Sequence, residues 1–212
     1  MAEKARVLWG AGTPRTMRAH WILHELDLAY ESRPIGSRTG ETQTREFLRL
    51  NPSGKIPVLE DGDLVLSESA AIVTYLAEKY GSDSGVLPPP ATRERALYFK
   101  WSFFSMMELD ATTMYVLRKH DDLKDIYGEA PNATRAAREG FLKQARVVEQ
   151  ALIAMGPYIL GESFTGADIL LTTCLTPAER RGIELSDALR EYLKRTTRRE
   201  AYKLAHQANQ FR

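Results

Sequence analysis

The sequence predicts an α+β first half and an all-α second half, and three observations carry that prediction. The short β-prone runs fall before residue 67, and two of them, Lys55 to Glu60 and Leu64 to Leu66, are joined by Asp61-Gly62, a strong signal for a tight antiparallel hairpin. The run GSDSGVLPPP from Gly81 to Pro90 combines small, polar and proline residues without periodicity, as an interdomain linker does. Beyond it, apolar residues recur at helical spacing. The domains are accordingly expected at 1–80 and 91–212, with 81–90 as the linker.

In chain order, Val7-Leu8-Trp9 is a short buried strand, and Gly10 to Pro14 forms a turn that opens a helix with Pro14 near its first position. Met17, Trp21, Ile22 and Leu26 follow helical spacing. Leu28 to Ile35 is a second strand, Gly36 to Gln43 a polar loop and Thr44 to Leu50 a short helix. The hairpin follows, Ser67 caps the next helix, and Gly81 ends that helix after Tyr80. The order is thioredoxin-like: two parallel strands joined by a helical crossover, then an antiparallel pair. In the second half, helices are expected over Thr92 to about Lys119, Asn132 to Ala154, Asp168 to Leu175, and once or twice between Ser186 and Ala208. Thr165-Gly166-Ala167-Asp168 fits a capping box, with Phe164 and Ile169 placed as its hydrophobic staple.

Composition narrows the function. The 212 residues are 43% hydrophobic, enough for a packed core. Lys+Arg 29 against Asp+Glu 28 leaves no basic surplus for nucleic acid and no acidic tail. Cys174 is the only cysteine, which excludes an intrachain disulfide, a zinc cluster and a Cys-x-x-Cys pair, and points to a cytoplasmic setting. The short charged N-terminus, Met1 to Arg6, gives no reason to expect export, and no apolar run approaches the roughly 18 residues of a membrane span. His20, His24, His120 and His206 stand without ligand partners in the sequence, so no metal site is expected. Gly10-Ala11-Gly12 lacks the third glycine of a dinucleotide fingerprint, no phosphate loop is present, and Cys174 reads as an inert core residue.

The stretch from Asn51 to Ile72 carries the binding chemistry. Pro57 has no N–H and suits a strand start, and a cis Ile56-Pro57 bond would turn the Ile56 main chain outward as an edge for an extended peptide. The helix start beside it offers free N–H groups and partial positive charge to a carboxylate, and Glu68 offers an ammonium partner. Together these describe a pocket for a short peptide with a free amino-acid head.

That run, with Ile-Pro followed by Glu-Ser on a helix start, resembles the glutathione-binding half of the cytosolic glutathione transferases. Phe164-Thr165-x-Ala167-Asp168 resembles the capping motif of their helical domain, so the resemblance spans nearly the whole chain. It implies the glutathione transferase fold, a thioredoxin-like domain followed by an all-α one, and a cytoplasmic, homodimeric detoxification enzyme with glutathione as co-substrate. Nucleic acid, membrane and metal are not expected partners. The implied reaction needs the tripeptide's sulfur as a thiolate, because a free thiol of pKa about 8.5 is only a few per cent ionised near neutrality. Tyrosine-type members supply a tyrosine hydroxyl at the end of the first strand, where this chain has Trp9. Thr13-Pro14-Arg15-Thr16-Met17-Arg18 resembles instead the Ser-Pro-x-x-x-Arg run of serine-type members, in a theta- or tau-like branch of bacterial style, with Thr13 in place of the serine. Thr13 is the expected donor to the thiolate, and Thr16 the second choice.

By matching position, Ile56 with Pro57 is expected to pair with the cysteinyl backbone, Glu68 with Ser69 to hold the γ-glutamyl end, and Lys55 to reach the glycyl carboxylate. Thr42-Gln43 stand where many relatives carry a basic side chain. Arg15, Arg18 and Arg38 are candidate substitutes there, each read first as solvated surface. The electrophile is expected against the first helix of the second domain, at Trp101, Phe104, Met107 and Tyr115, with Glu108 and Asp110 on a solvated face. The same thiolate serves dehalogenation, isomerisation and peroxide reduction, and a binding protein with little turnover is a further reading of the fold.

Overall fold

The computed structural model describes residues 6–82 and 84–211; the expected domain limits at residues 1 and 212 and the linker residue Asp83 lie outside them. Two compact units emerge: one formed by 1–87 together with 197–212, the other by 88–196. The expected second domain runs to residue 212, whereas the packing returns the last helix to the first unit.

The first unit is built on a four-stranded sheet of order β2-β1-β3-β4, with β1 Val7–Trp9, β2 Glu31–Arg33, β3 Val58–Asp61 and β4 Leu64–Ser67. β1 runs parallel to β2, and β3 is antiparallel to both β1 and β4. The parallel pair needs a crossover, and α1 (Pro14–Glu25) supplies it. After a 3₁₀ turn at Glu41–Gln43 come α2 (Arg45–Leu50), the hairpin and α3 (Ser69–Tyr80). Trp9 and Val58, paired across β1 and β3, pack with Phe47 of α2 and Ile56, while Leu8 and Leu59 turn to the other face and are fully buried.

Three boundaries differ from expectation, each for a local reason. β2 is shorter than Leu28 to Ile35, because it is an edge strand stopped by Pro34, which has no N–H to donate. β3 starts at Val58 because Pro57 cannot donate either. Ser67 does not cap α3; it pairs with Val58 as the last residue of β4, and Glu68 opens the helix.

The second unit is helical. α4 (Arg93–Phe104) continues as π-helical turns over Ser105–Met114, one α-helical turn α5 (Tyr115–Leu117), and π-helical turns again over Arg118–Asp122. The sequence predicts a plain α-helix here. The Thr112 hydroxyl donates to the carbonyls of Met107 at 2.9 Å and Glu108 at 3.1 Å, and Thr113 to that of Leu109 at 2.5 Å. Hydroxyls that take these carbonyls compete with the regular i→i−4 ladder, and the wider turn follows. Asp110 is buried within this stretch rather than solvated.

α6 (Lys124–Tyr127), α7 (Pro131–Met155), α8 (Gly166–Arg180) and α9 (Asp187–Thr197) follow, and α10 (Glu200–Ala208) belongs to the first unit. Asp168 anchors α8. Its Oδ2 accepts Thr165 N–H at 2.8 Å and the Thr165 hydroxyl at 3.1 Å, and its Oδ1 accepts Ile159 N–H at 2.9 Å and the Tyr192 hydroxyl at 2.9 Å. Cys174 is buried and donates to the Ser105 carbonyl at 3.5 Å.

Candidate glutathione site

The sheet register places the predicted binding residues of the first unit together. Trp9 pairs with Val58 and Val58 with Ser67, so the turn after β1, the Ile56-Pro57 step and the start of α3 share one end of the sheet. Ile56-Pro57 is cis. The β1–β3 ladder begins at Val58, and the Ile56 main chain lies outside it. Asn51 braces the approach: its Nδ2 donates to the Lys55 carbonyl at 2.8 Å, and its Oδ1 accepts Ser53 N–H at 3.1 Å and the Ser53 hydroxyl at 2.8 Å. Lys55 itself is exposed. Gly10, at φ 112°, is needed where the first strand turns, because a Cβ there would stand 2.6 Å from the Ile56 Cβ.

α3 begins with an exposed carboxylate at its N-cap, Glu68, followed by a buried serine. Glu68 sits at φ 69°, a left-handed backbone that a residue with a Cβ rarely adopts. It is exposed, and among the described residues its carboxylate has no hydrogen-bond or ion-pair partner. Ser69, the next residue, is buried, and its hydroxyl accepts Arg18 Nη1 at 3.1 Å. Arg18 is 1% exposed, not surface. The site therefore sets a carboxylate beside a helix N-terminus that has a buried guanidinium behind it, complementary to an ammonium and a carboxylate on one ligand.

Thr13 is the N-cap of α1 and 8% exposed. Its hydroxyl accepts Thr16 N–H at 3.0 Å, and the Thr16 hydroxyl accepts Thr13 N–H at 3.0 Å, a reciprocal box. The two hydroxyl oxygens are 3.0 Å apart. Thr16 is fully buried. α10 packs along α1, with the Tyr202 ring edge-on to Trp21 at 4.9 Å and Arg199 paired with Glu25. Past its end, Asn209 reaches the turn: its carbonyl accepts Gly12 N–H at 2.8 Å, its Oδ1 accepts the Thr16 hydroxyl at 2.6 Å, and its Nδ2 donates to the Thr13 carbonyl at 3.1 Å. Phe211 lies against Gly12 and Gly36. The Trp9 ring N–H is already used, donating to Glu60 at 2.6 Å.

Behind the turn, His20, Tyr30 and His24 form a chain. His20 Nε2 lies 3.2 Å from the Gly10 carbonyl, which can only accept, so Nε2 carries the proton and Nδ1 accepts the Tyr30 hydroxyl at 2.7 Å. His24 Nε2 then donates to the Tyr30 oxygen at 3.3 Å. Burial pulls the His20 pKa down to about 4 and pushes that of Tyr30 up to about 12.

The expected electrophile residues all fall in the second unit. Trp101 is buried in its core, edge-on to Phe104 at 5.3 Å, with Lys100 Nζ over its ring at 4.3 Å. Phe104 and Tyr115 are half-buried, and Met107 is 57% exposed. Among the described residues no group of three or more His, Cys, Asp and Glu could hold a metal ion, and no helix is long and apolar enough to cross a membrane.

One residue of the site, Asn209, was missed in the sequence, and Arg18 was weighed only as a substitute at the glycyl end and otherwise as surface. Arg18 had a signal, since Arg18, Ile22 and Trp21 share the face on which α1 packs. Asn209 had none, because nothing near it repeats or caps.

A four-stranded mixed sheet of thioredoxin type with a cis-proline beside a helix start, and a helical unit, define a two-unit thioredoxin-like class of protein. The model for the glutathione S-transferase N-terminal domain matches residues 5–78. A glutathione S-transferase from Zea mays is 33% identical over 157 residues, covering 74% of this chain and 70% of that protein. One from Hyoscyamus muticus is 31% identical over 160 residues, covering 75% of each. The chain belongs to the glutathione S-transferase family. A glutathione transferase homolog from Lodderomyces elongisporus, solved with two GSH per subunit, superposes with a TM-score of 0.90 at 22% identity, over 98% of this chain and all of that one.

Proposed function

We propose that the protein binds glutathione across Ile56-Pro57 and the start of α3 and transfers its thiolate to small hydrophobic electrophiles. The observation that carries this reading is Glu68: a side chain held in a strained backbone, exposed and without a partner among the described residues, beside a buried Arg18–Ser69 pair, is organised for a ligand rather than for the fold. Glu68 takes the γ-glutamyl ammonium, Ser69 and the α3 N-terminus take its carboxylate, the Ile56 main chain pairs with the cysteinyl residue, and Lys55 meets the glycyl end. Thr13, of the serine-type, theta- or tau-like pattern, donates its hydroxyl proton to the sulfur as a hydrogen bond. The thiol proton leaves to solvent, the thiolate forms the new S–C bond, and the electrophile expels its leaving group or accepts the electron pair.

Of the expected electrophile residues, half-buried Phe104 and Tyr115 carry the contact with the electrophile's apolar part, and Trp101, buried in the core, backs Phe104. Met107 continues the exposed stripe of Phe99 and Phe103, whose rings stack at 6.2 Å, and that stripe supports a homodimer. A cytoplasmic detoxification role accompanies the family. A second reading, a glutathione-binding protein with little turnover, draws on the burial of Thr13.

The test is calorimetric titration with glutathione followed by assay against aryl halides, epoxides, isothiocyanates and hydroperoxides. Binding that Glu68→Gln weakens, with turnover of at least one electrophile, is expected. No binding removes both readings; binding without turnover leaves the second.

A further inference from the structure

We infer that Asn209 is a positioning residue for the sulfur-binding hydroxyl, an inference that rests on Thr13 as the thiolate donor. The proton inventory of the turn leads there. Thr13 N–H goes to the Thr16 hydroxyl, and Thr16 N–H to that of Thr13. The Thr13 carbonyl receives Met17 N–H at 3.0 Å and Asn209 Nδ2 at 3.1 Å, which fills both its lone pairs. The Thr16 hydroxyl has two acceptors in reach, the Thr13 carbonyl at 2.9 Å and Asn209 Oδ1 at 2.6 Å; the carbonyl already takes two N–H groups, so the shorter contact to Asn209 takes the proton. One proton in the cluster has no acceptor except another hydroxyl: that of Thr13, resting 3.0 Å from the Thr16 oxygen.

Asn209 takes the Thr16 proton at a shorter distance than the Thr13 carbonyl does, so Thr13 holds the one that can swing to a ligand sulfur. It also ties Gly12, Thr13 and Thr16 to one residue, so the donor's position is fixed from outside α1. Asn209 touches neither sulfur nor electrophile. It acts through Thr16, the residue whose hydroxyl it engages.

The experiment measures the thiolate absorbance of bound glutathione against pH in the wild type and in Thr13→Ala, Asn209→Ala, Thr16→Val and the Asn209→Ala/Thr16→Val double variant. Affinity for S-methylglutathione, which has no thiol to ionise, is measured in parallel. Asn209→Ala and Thr16→Val are each expected to raise the thiol pKa by about one-half to one, with S-methylglutathione affinity kept within about twofold. The double variant is expected to fall short of the sum of the two single ones, because they share the Thr16–Asn209 link. Additive shifts, or no shift in Thr16→Val, overturn the inference, and the latter result stands even where Asn209→Ala does not fold. If Thr13→Ala leaves the pKa unchanged, the donor reading itself fails. If Thr13→Ala raises it while Asn209→Ala and Thr16→Val do not, Thr13 stays the donor and the role of Asn209 is overturned.

Discussion

Arg18, buried on α1, donates through Nη1 to the hydroxyl of Ser69 at 3.1 Å, so the helix that follows β1 holds the first residue of the helix that follows β4. Arg18→Ala leaves the Ser69 hydroxyl without this donor and a guanidinium-sized void. It is expected to cost about 2 to 3 kcal/mol of stability and to weaken glutathione binding at least tenfold. Arg18→Met, which fills the space without charge, should recover most of the stability and none of the affinity. Denaturant titration and calorimetry on both variants separate the two effects.

Glu68 gives a prediction in which stability and binding move apart. Glu68→Gly accepts the φ of 69° without a Cβ, relieving strain of about 1 kcal/mol or more that the added freedom of the unfolded glycine partly offsets. Melting temperature should hold or rise slightly, while glutathione affinity falls at least tenfold through loss of the charge-assisted contact. A variant that both melts lower and binds normally would mean that the carboxylate serves the fold.

His20 sets an acid limit on the first unit. Its folded pKa of about 4 lies below the ordinary 6.5, so between these values the unfolded chain binds more protons. The stabilising contribution is complete above 6.5 and is lost as pH falls through that window, amounting to about 3 kcal/mol. Ring nitrogen shifts should show the Nε2–H tautomer from neutrality down to pH about 5. Titration of this ring near 6.5 would refute the buried chain to Tyr30.

Asp168 works with the opposite sign in the second unit. Complete burial pushes its carboxyl up to about 6 against the four donors that favour the ion. Its contribution is present below its unfolded value of 3.8 and declines as pH rises through about 6. Asp168→Ala strands those donors and is expected to cost about 3 kcal/mol or more, read from urea midpoints at pH 7. A loss under 1 kcal/mol would show that solvent replaces the carboxylate.

Much of this was legible in the chain. The hairpin turn at Asp61-Gly62, the cis-prone Ile56-Pro57 and the box at Thr165–Asp168 are local signals, written in neighbouring residues and read from them. The π-helical turns after Phe104 were not, because they depend on which carbonyl each threonine hydroxyl meets. Ser67 looked like a cap because serine before a helix usually is; strand pairing with Val58 claimed it first. Arg18 and Asn209 owe their roles to contacts across 51 and 193 or more residues of sequence, a separation at which pattern carries no information.

The return of 197–212 to the first unit makes 88–196 an insertion within it. On a ribosome, the sheet and α1 emerge early, but the surface of α1 that takes Tyr202, Arg199 and Asn209 stays uncovered until the whole inserted unit has been translated. A fragment cut at the linker would expose Trp21 and leave the turn at Thr13 open, so the glutathione half cannot be harvested intact as the first 87 residues.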